Sequence, residues 1–332
     1  MAEANAAEAK KRVFEFIRMS DHKLPLTVEN LHDHYSAALA PVLAIDSGDS
    51  VTFETLDVSW TTGPRYDFVT PPPYHEKPDH AIGDGPALSG PIFVRGASPG
   101  DMLEVQIIEV RPKNWGWTCA GGRSKWPDLA FDADNEAPAI LNWAIDVQKG
   151  VACVPSGLSI GIRPFMGMMG VCPAGDIQPD VWSPSSSGGN LDCKELVAGT
   201  SLFLPVGVAG ALFSTGDGHA VQGDGELCGC AIECGMERVR LRFIVHKTHE
   251  HPFIHARSET EMITFGFAEN LQDALAEAGN RMIDFLIAEY EFSSRAEALC
   301  LSSCVVDFRV TQVANPKFGI HAVLKLDAIG RQ

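Results

Sequence analysis

Short alternating apolar runs, each closed by a glycine or proline turn, set the strongest limit on how this chain can fold. From Pro41 it reads Val42-Leu43-Ala44-Ile45, a turn at Ser47-Gly48-Asp49, then Val51-Thr52-Phe53-Glu54-Thr55-Leu56. Successive side chains of a strand point to opposite faces, so such alternation suits a sheet with one buried side. Pro91-Ile92-Phe93-Val94 and the run from Met102 to Ile108 repeat the pattern around a turn at Ala97-Ser98-Pro99-Gly100-Asp101. Further short strands are predicted at 139–144, 158–163, 201–208 and 226–234. Closely spaced strands with turn signals between them predict a mainly β body of the sandwich type.

Two stretches depart from that pattern. Glu269 to Glu289 carries Leu271, Leu275, Ala278, Met282, Phe285 and Leu286 at helical spacing. Ser294-Arg295-Ala296-Glu297 is a capping-box signature for a second helix to about Ser303, and Val305 to Val310 returns to strand. The expected organisation is a β-rich body over residues 1–240 that carries the active site. A smaller C-terminal α+β part, 241–332, packs on it. Residues 61–90 read as a surface excursion, a lid or an oligomer contact. Residues 112–138 read as a loop anchored by Trp115, Trp117 and Trp126.

At 332 residues and 45% hydrophobic, the chain can bury a large core. Its net charge of -17 argues against nucleic acid and anionic membranes as partners, and suits a neutral or cationic small molecule. Met1 to Lys11 lacks an apolar signal core, and no apolar run reaches the roughly 18 residues that span a bilayer. With nine cysteines, an odd number, the expectation is a cytoplasmic protein with reduced thiols.

Chemistry-bearing residues crowd between Gly188 and Glu233. The stretch reads Gly188-Gly189-Asn190-Leu191-Asp192, an apolar run to Phe213, Gly216-Asp217-Gly218-His219, then Gly223-Asp224-Gly225-Glu226 and Glu233. Asp217 and His219, at i and i+2, would share one side of an extended segment and could reach one ion. A glycine hairpin whose Asp and His bond backbone fits the spacing equally well. Asp192 alone suits a turn cap. Glu226 and Glu233 flank an apolar run, where desolvation would raise a carboxylate pKa and fit it for proton transfer. Glu226 is preferred as the catalytic carboxylate.

Other clusters carry weaker signals. His32-Asp33-His34 and Asp57 are ambiguous. His246, His249, His251 and His255 lack zinc-motif spacing and read as an exposed polar loop. Cys228 and Cys230 suit the packed face of a strand, and Met166, Met168 and Met169 suit core or an apolar pocket wall. Ser185-Ser186-Ser187 raises a metal-free serine amidase, for which Lys113 and Lys125 lack a supporting motif. A non-enzymatic ligand-binding β-sandwich is a further alternative.

The run Gly188 to Leu196 resembles the acetamidase/formamidase family. So do Leu204-Pro205-Val206, Gly210 to Phe213, Gly216 to Glu226, Ser89 to Asp101 and Pro164 to Val171. The likeness extends from about His34 to about Leu326. It implies a jelly-roll-like β-sandwich joined to a smaller α/β part. It also implies hydrolysis of a short linear amide to a carboxylic acid and ammonia by a homodimer or higher homo-oligomer. It implies a divalent metal, zinc first and calcium second. On that basis Asp192 and His219, then His34 and Asp57, are the expected ligands. Glu226, Asp224 and Asp217 are the candidates for water activation. Asn190 joins them, and backbone N–H groups at Gly188 and Gly189 are candidates to hold an oxyanion. Pro71-Pro72-Pro73 to Asp84 and Gly85-Pro86-Ala87-Leu88 depart from the family pattern. They keep a larger amide, a lactam or a carbamate open as substrate.

Overall fold

The computed structural model describes residues 19–64, 67, 69–121, 137–175 and 181–330. Trp126 and Lys125 lie outside them. The fold is mainly β. One nine-stranded sheet runs in the order Asp21–Leu24, Ser50–Phe53, Met236–His246, Met102–Pro112, Ser201–Pro205, His255–Arg257, Glu261–Ala268, Phe318–Lys325 and Val306–Gln312. A second sheet orders Gly188–Asn190, Phe165–Gly170, Phe213–His219, Leu88–Val94 and Leu31–His32, with Leu43–Ile45 also paired to Leu88–Val94. A four-stranded sheet holds Ser159–Gly161, Val151–Cys153, Ala139–Asp146 and Trp115–Ala120.

The main core lies between these sheets. Val239, Leu241 and Phe243 point inward from Met236–His246, while Arg238, Arg240 and Arg242 alternate with them. This strand has the clearest alternation in the chain, yet it was not among the strands predicted. Phe243 meets Phe213 of the second sheet edge-on, with ring centroids 5.0 Å apart, and both are fully buried. Ile92, Val94, Met166 and Met169 complete the facing layer, so the methionines are core, as their sequence suggests.

The helix Leu271–Tyr290 lays Ala274, Ala278, Met282, Phe285 and Leu286 against Met262, Ile320, Ala322 and Leu324 of the nine-stranded sheet. Asn270 caps it, accepting from the Asp273 N–H at 2.9 Å. A second helix, Arg295–Val305, is capped by Ser294. Glu297 there reaches back to the Ser293 N–H at 3.1 Å, one residue earlier than in a regular capping box. Residue 240 lies inside Met236–His246, and the sheet continues unbroken through Ser201–Pro205 and His255–Arg257 into the C-terminal strands. Among the described residues, no helix is long and apolar enough to cross a membrane.

One predicted strand is absent. Residues 226–234 form turns, because Gly225, Glu226 and Gly229 take φ of 98°, 44° and 74° and Leu227 is exposed. Cys228 is therefore exposed rather than packed on a sheet. None of the nine cysteines is in a disulfide.

Candidate active site

The site is built on Phe213–His219, a strand buried along its whole length and flanked by Phe165–Gly170 and Leu88–Val94. Its last residues bring in Asp217 and His219. Gly188–Asn190 pairs with Phe165–Gly170 on the far side, and the chain then turns so that Leu191 and Asp192 both donate to the Gly167 carbonyl at 2.9 and 3.1 Å. Glu233 arrives from the other direction. Its backbone exchanges hydrogen bonds with Trp117 at 2.9 and 3.0 Å, while Cys234 donates to Gly218 and Ala220 donates to Ile232. Glu233 thus stitches the four-stranded sheet to the second sheet beside His219.

Five ionisable side chains converge there, none more than 7% exposed: Asp192, Asp217, His219, Glu226 and Glu233. His219 Nε2 lies 3.2 Å from Asp217 Oδ1, in hydrogen-bonding geometry. It lies 3.3 Å from Glu233 Oε2 as an ion-pair contact. Ligand atoms of Asp192, His219 and Glu226 fall within 4.8 Å of one another, as do those of Asp217, His219 and Glu233. Gly167 floors the group. A Cβ on it would come 2.6 Å from Asp217 Oδ2, 2.8 Å from Asp192 Oδ1 and 2.8 Å from His219 Cε1.

Four carboxyl groups around one imidazole, out of water, cannot all be ionised without a counter-charge. Burial pushes the carboxyl groups of Asp192, Glu226 and Glu233 above the usual range. Repulsion from Asp217 adds to that at Asp192 and Glu233, and repulsion from Asp192 adds to it at Glu226. Burial alone would lower His219, but Glu233 and Asp217 outweigh it and raise its pKa well above an ordinary imidazole. Three of the four carboxylate residues also hold left-handed backbone, with φ of 48° at Asp192, 57° at Asp217 and 44° at Glu226. Left-handed backbone is uncommon outside glycine and concentrates at functional sites.

The donor set fits a divalent cation. Asp192 Oδ1 and Glu233 Oε2 are buried without a hydrogen-bond partner. Native proteins seldom leave such atoms unsatisfied. Contacts of 3.2 and 3.3 Å from His219 Nε2 match the roughly 3.3 Å between neighbouring ligands on a tetrahedral zinc with bonds of about 2.0–2.1 Å.

Other expected residues fall around this centre. Asp224 is partly exposed and paired with Lys194 Nζ at 2.6 Å. Asn190 donates to the Trp182 carbonyl at 3.1 Å and keeps Oδ1 unpartnered. The Gly188 N–H already donates to the Ser185 carbonyl, and Gly189 lies in the strand pairing opposite Met169. His34 Nδ1 lies 2.8 Å from Asp33. Asp33 in turn accepts from Ile82 and Gly83 and so pins the 61–90 excursion. Asp57 accepts from the Thr61 N–H at 2.7 Å, from the Thr61 hydroxyl and from Trp117 Nε1 at 2.8 Å. Neither His34 nor Asp57 shares a group of three clustered ligand atoms among the described residues.

Glu233, weighed beside Glu226 but not preferred, enters the centre, and so does Gly167. Glu233 showed the same signal as Glu226, a carboxylate beside an apolar run, whereas nothing local marks Gly167. The histidine cluster is not an exposed loop either. His251 and His255 are buried, and together with Phe203, Phe285 and Glu289 they line a separate cavity of about 270 Å³.

Comparison with known proteins agrees with this architecture. The crystal structure of an acetamidase from Bacillus Halodurans matches with a TM-score of 0.79 at 29% identity, covering 92% of this chain and 98% of that one. A Schizosaccharomyces pombe protein provisionally named a formamidase is 29% identical over 280 residues, 65% of this chain and 64% of that protein. An acetamidase of Mycolicibacterium smegmatis is 28% identical over 205 residues, 45% of this chain and 50% of that protein. The chain thus aligns with between half and two thirds of the length of these two curated relatives. The sequence model of the acetamidase/formamidase family matches residues 20–183 and 179–326, and these spans contain every residue of the centre. The chain belongs to the acetamidase/formamidase family.

Proposed function

We propose that this chain hydrolyses a small linear amide, formamide- or acetamide-like, to a carboxylic acid and ammonia, using a divalent cation held by the Asp192–His219 centre. The supporting observation is the buried ring of four carboxyl groups around His219, with the unpartnered Asp192 Oδ1 above Gly167. Zinc is the first candidate and calcium the second. Asp192, His219, Glu233 and Asp217 would hold the ion. When bound, such a cation supplies Lewis acidity, which polarises a carbonyl and acidifies water.

The chain's own groups handle the proton. Glu226, buried and raised in pKa by burial and by Asp192, is suited to take a proton from water and deliver it to the leaving nitrogen. The centre lies out of water, so charge developing on the amide oxygen would be weakly screened. A small neutral amide suits a chain of net charge -17, which would not attract anions. The serine alternative has less support. The Ser185 hydroxyl donates to the Gly188 carbonyl, and Lys113 pairs with Glu54 at 3.2 Å.

Metal content and ammonia release from a panel of amides, before and after chelation and metal re-addition, test this reading. Full activity in metal-free protein would overturn the cation's role. Absence of ammonia from every amide would overturn the hydrolase.

A further inference from the structure

The hairpin made by Val306–Gln312 and Phe318–Lys325 lies outside the chemistry described so far, yet its turn reaches into the centre. Asn315, 6% exposed, donates from Nδ2 to Asp192 Oδ2 at 3.0 Å. Gln312, fully buried, shapes that turn by accepting from the Ala314 and Asn315 N–H groups at 2.9 and 3.0 Å, and it donates to the Lys317 carbonyl at 2.8 Å. The hairpin also grips the segment before Glu226. Gly225 donates to Thr311 at 3.2 Å, and Val313 donates to Gly225 at 2.9 Å. Gln222 closes the circuit, donating to the Asp192 backbone carbonyl at 2.7 Å.

The two oxygens of Asp192 therefore stand differently. Oδ2 is occupied by Asn315. Oδ1 has no partner and faces the space above Gly167, on the side of Asp217 Oδ2 and His219 Cε1. A carboxylate free to rotate would swing towards any donor nearby. One anchored through a single oxygen presents the other in a fixed direction, as outer partners do for metal ligands.

We propose that Asn315 is a positioning residue of the centre, holding Asp192 by Oδ2 so that Oδ1 is aimed at the bound cation. The C-terminal hairpin turn is then part of the site. This rests on the cation reading given above, and the test separates the two.

Zinc affinity of the full chain, stripped by chelation and dialysed, is measured by competition with a chromophoric chelator. The proteins compared are wild type, Asn315→Leu, Asn315→Ser and His219→Ala. Loss of the amide donor weakens zinc binding roughly 10- to 100-fold in both Asn315 variants, at unchanged stoichiometry. The melting temperature of the zinc-free protein moves far less. Should Asn315→Leu not fold, Asn315→Ser, smaller and still polar, decides. Wild-type affinity in the Asn315 variants together with lost binding in His219→Ala would overturn the positioning role while leaving the cation site standing. A lowered melting temperature with unmoved affinity would also overturn it, reducing Asn315 to a structural brace. Equal zinc binding by wild type and His219→Ala would remove the cation reading, and this proposal with it.

Discussion

Glu233 meets His219 twice, once as its partner in a backbone bridge and once as a carboxylate 3.3 Å from its Nε2. The backbone half does not depend on the side chain, so Glu233→Gln should leave the junction of the two sheets in place. Removing the charge withdraws one proposed ligand or, with no ion bound, one stabiliser of the His219 imidazolium. Amide turnover is expected to fall roughly 100-fold or more, with near-native circular dichroism. A variant with wild-type kcat/KM would place Glu233 outside the chemistry.

Gly167→Ala offers a sharper probe of the floor. The added methyl would come within 2.8 Å of three site side chains, far inside van der Waals contact. Those side chains must move, and displacements of about 1 Å can lower turnover by the order of 100-fold. Comparison of kcat with zinc stoichiometry checks this, and an unimpaired Gly167→Ala would show that the centre is looser than its geometry.

Binding of a cation should release protons. Burial raises Asp192 to about 8 and Glu233 to about 7, so protons occupy the centre near neutrality when no ion is bound. An incoming cation must displace them, and affinity should rise with pH through the neutral range. Titration calorimetry in two buffers of different ionisation enthalpy reads the number released. Buffer-independent heats would contradict the picture.

Acid stability has a separate origin at Glu195. Burial pushes its carboxyl up, but His321 and, to a lesser extent, Cys193 and Lys194 outweigh this and hold it at about 2, below the unfolded value of 4.5. Arg309 Nη1 also lies 2.7 Å from Glu195 Oε1. A depressed carboxylate stabilises the fold above pH 4.5 and loses that contribution as pH falls towards 2. The difference is worth roughly 3 kcal/mol. Glu195→Gln should therefore lower the urea midpoint at pH 7 and change it little near pH 2. Equal effects at both pH values would exclude charge as the cause.

Asp57 provides a contrast among the expected ligands. Three donors, from Thr61 and Trp117, already engage its two oxygens. Asp57→Asn is expected to bind zinc with wild-type stoichiometry while unfolding about 1–3 kcal/mol more easily, through an amide forced among donors. Loss of zinc in this variant would return Asp57 to the ligand set.

Much of the sheet framework was legible because burial on one face leaves a period-two signature, as in Ser50–Phe53 and Met102–Pro112. The helix Leu271–Tyr290 was equally plain from its spacing. Residues 226–234 misled because apolar content alone does not reveal left-handed backbone at Gly225, Glu226 and Gly229. At the site, the flanking glycines marked Asp217 and His219, which do converge. Gly167 and Asn315 could not be found that way. They matter through contacts 25 to 123 residues distant, and no local pattern encodes them.

The left-handed backbone at Asp192, Asp217 and Glu226 has a consequence for how such a chain is maintained. Each position is one where glycine would sit without strain, sparing on the order of 1 kcal/mol, and where losing a carboxyl group would also relieve repulsion. Selection for folding alone would drift all three towards glycine, giving a sturdier but inert protein. Side chains kept there against that drift mark where selection for activity acts, and in any comparison of descendants these three positions would be the first to record its loss.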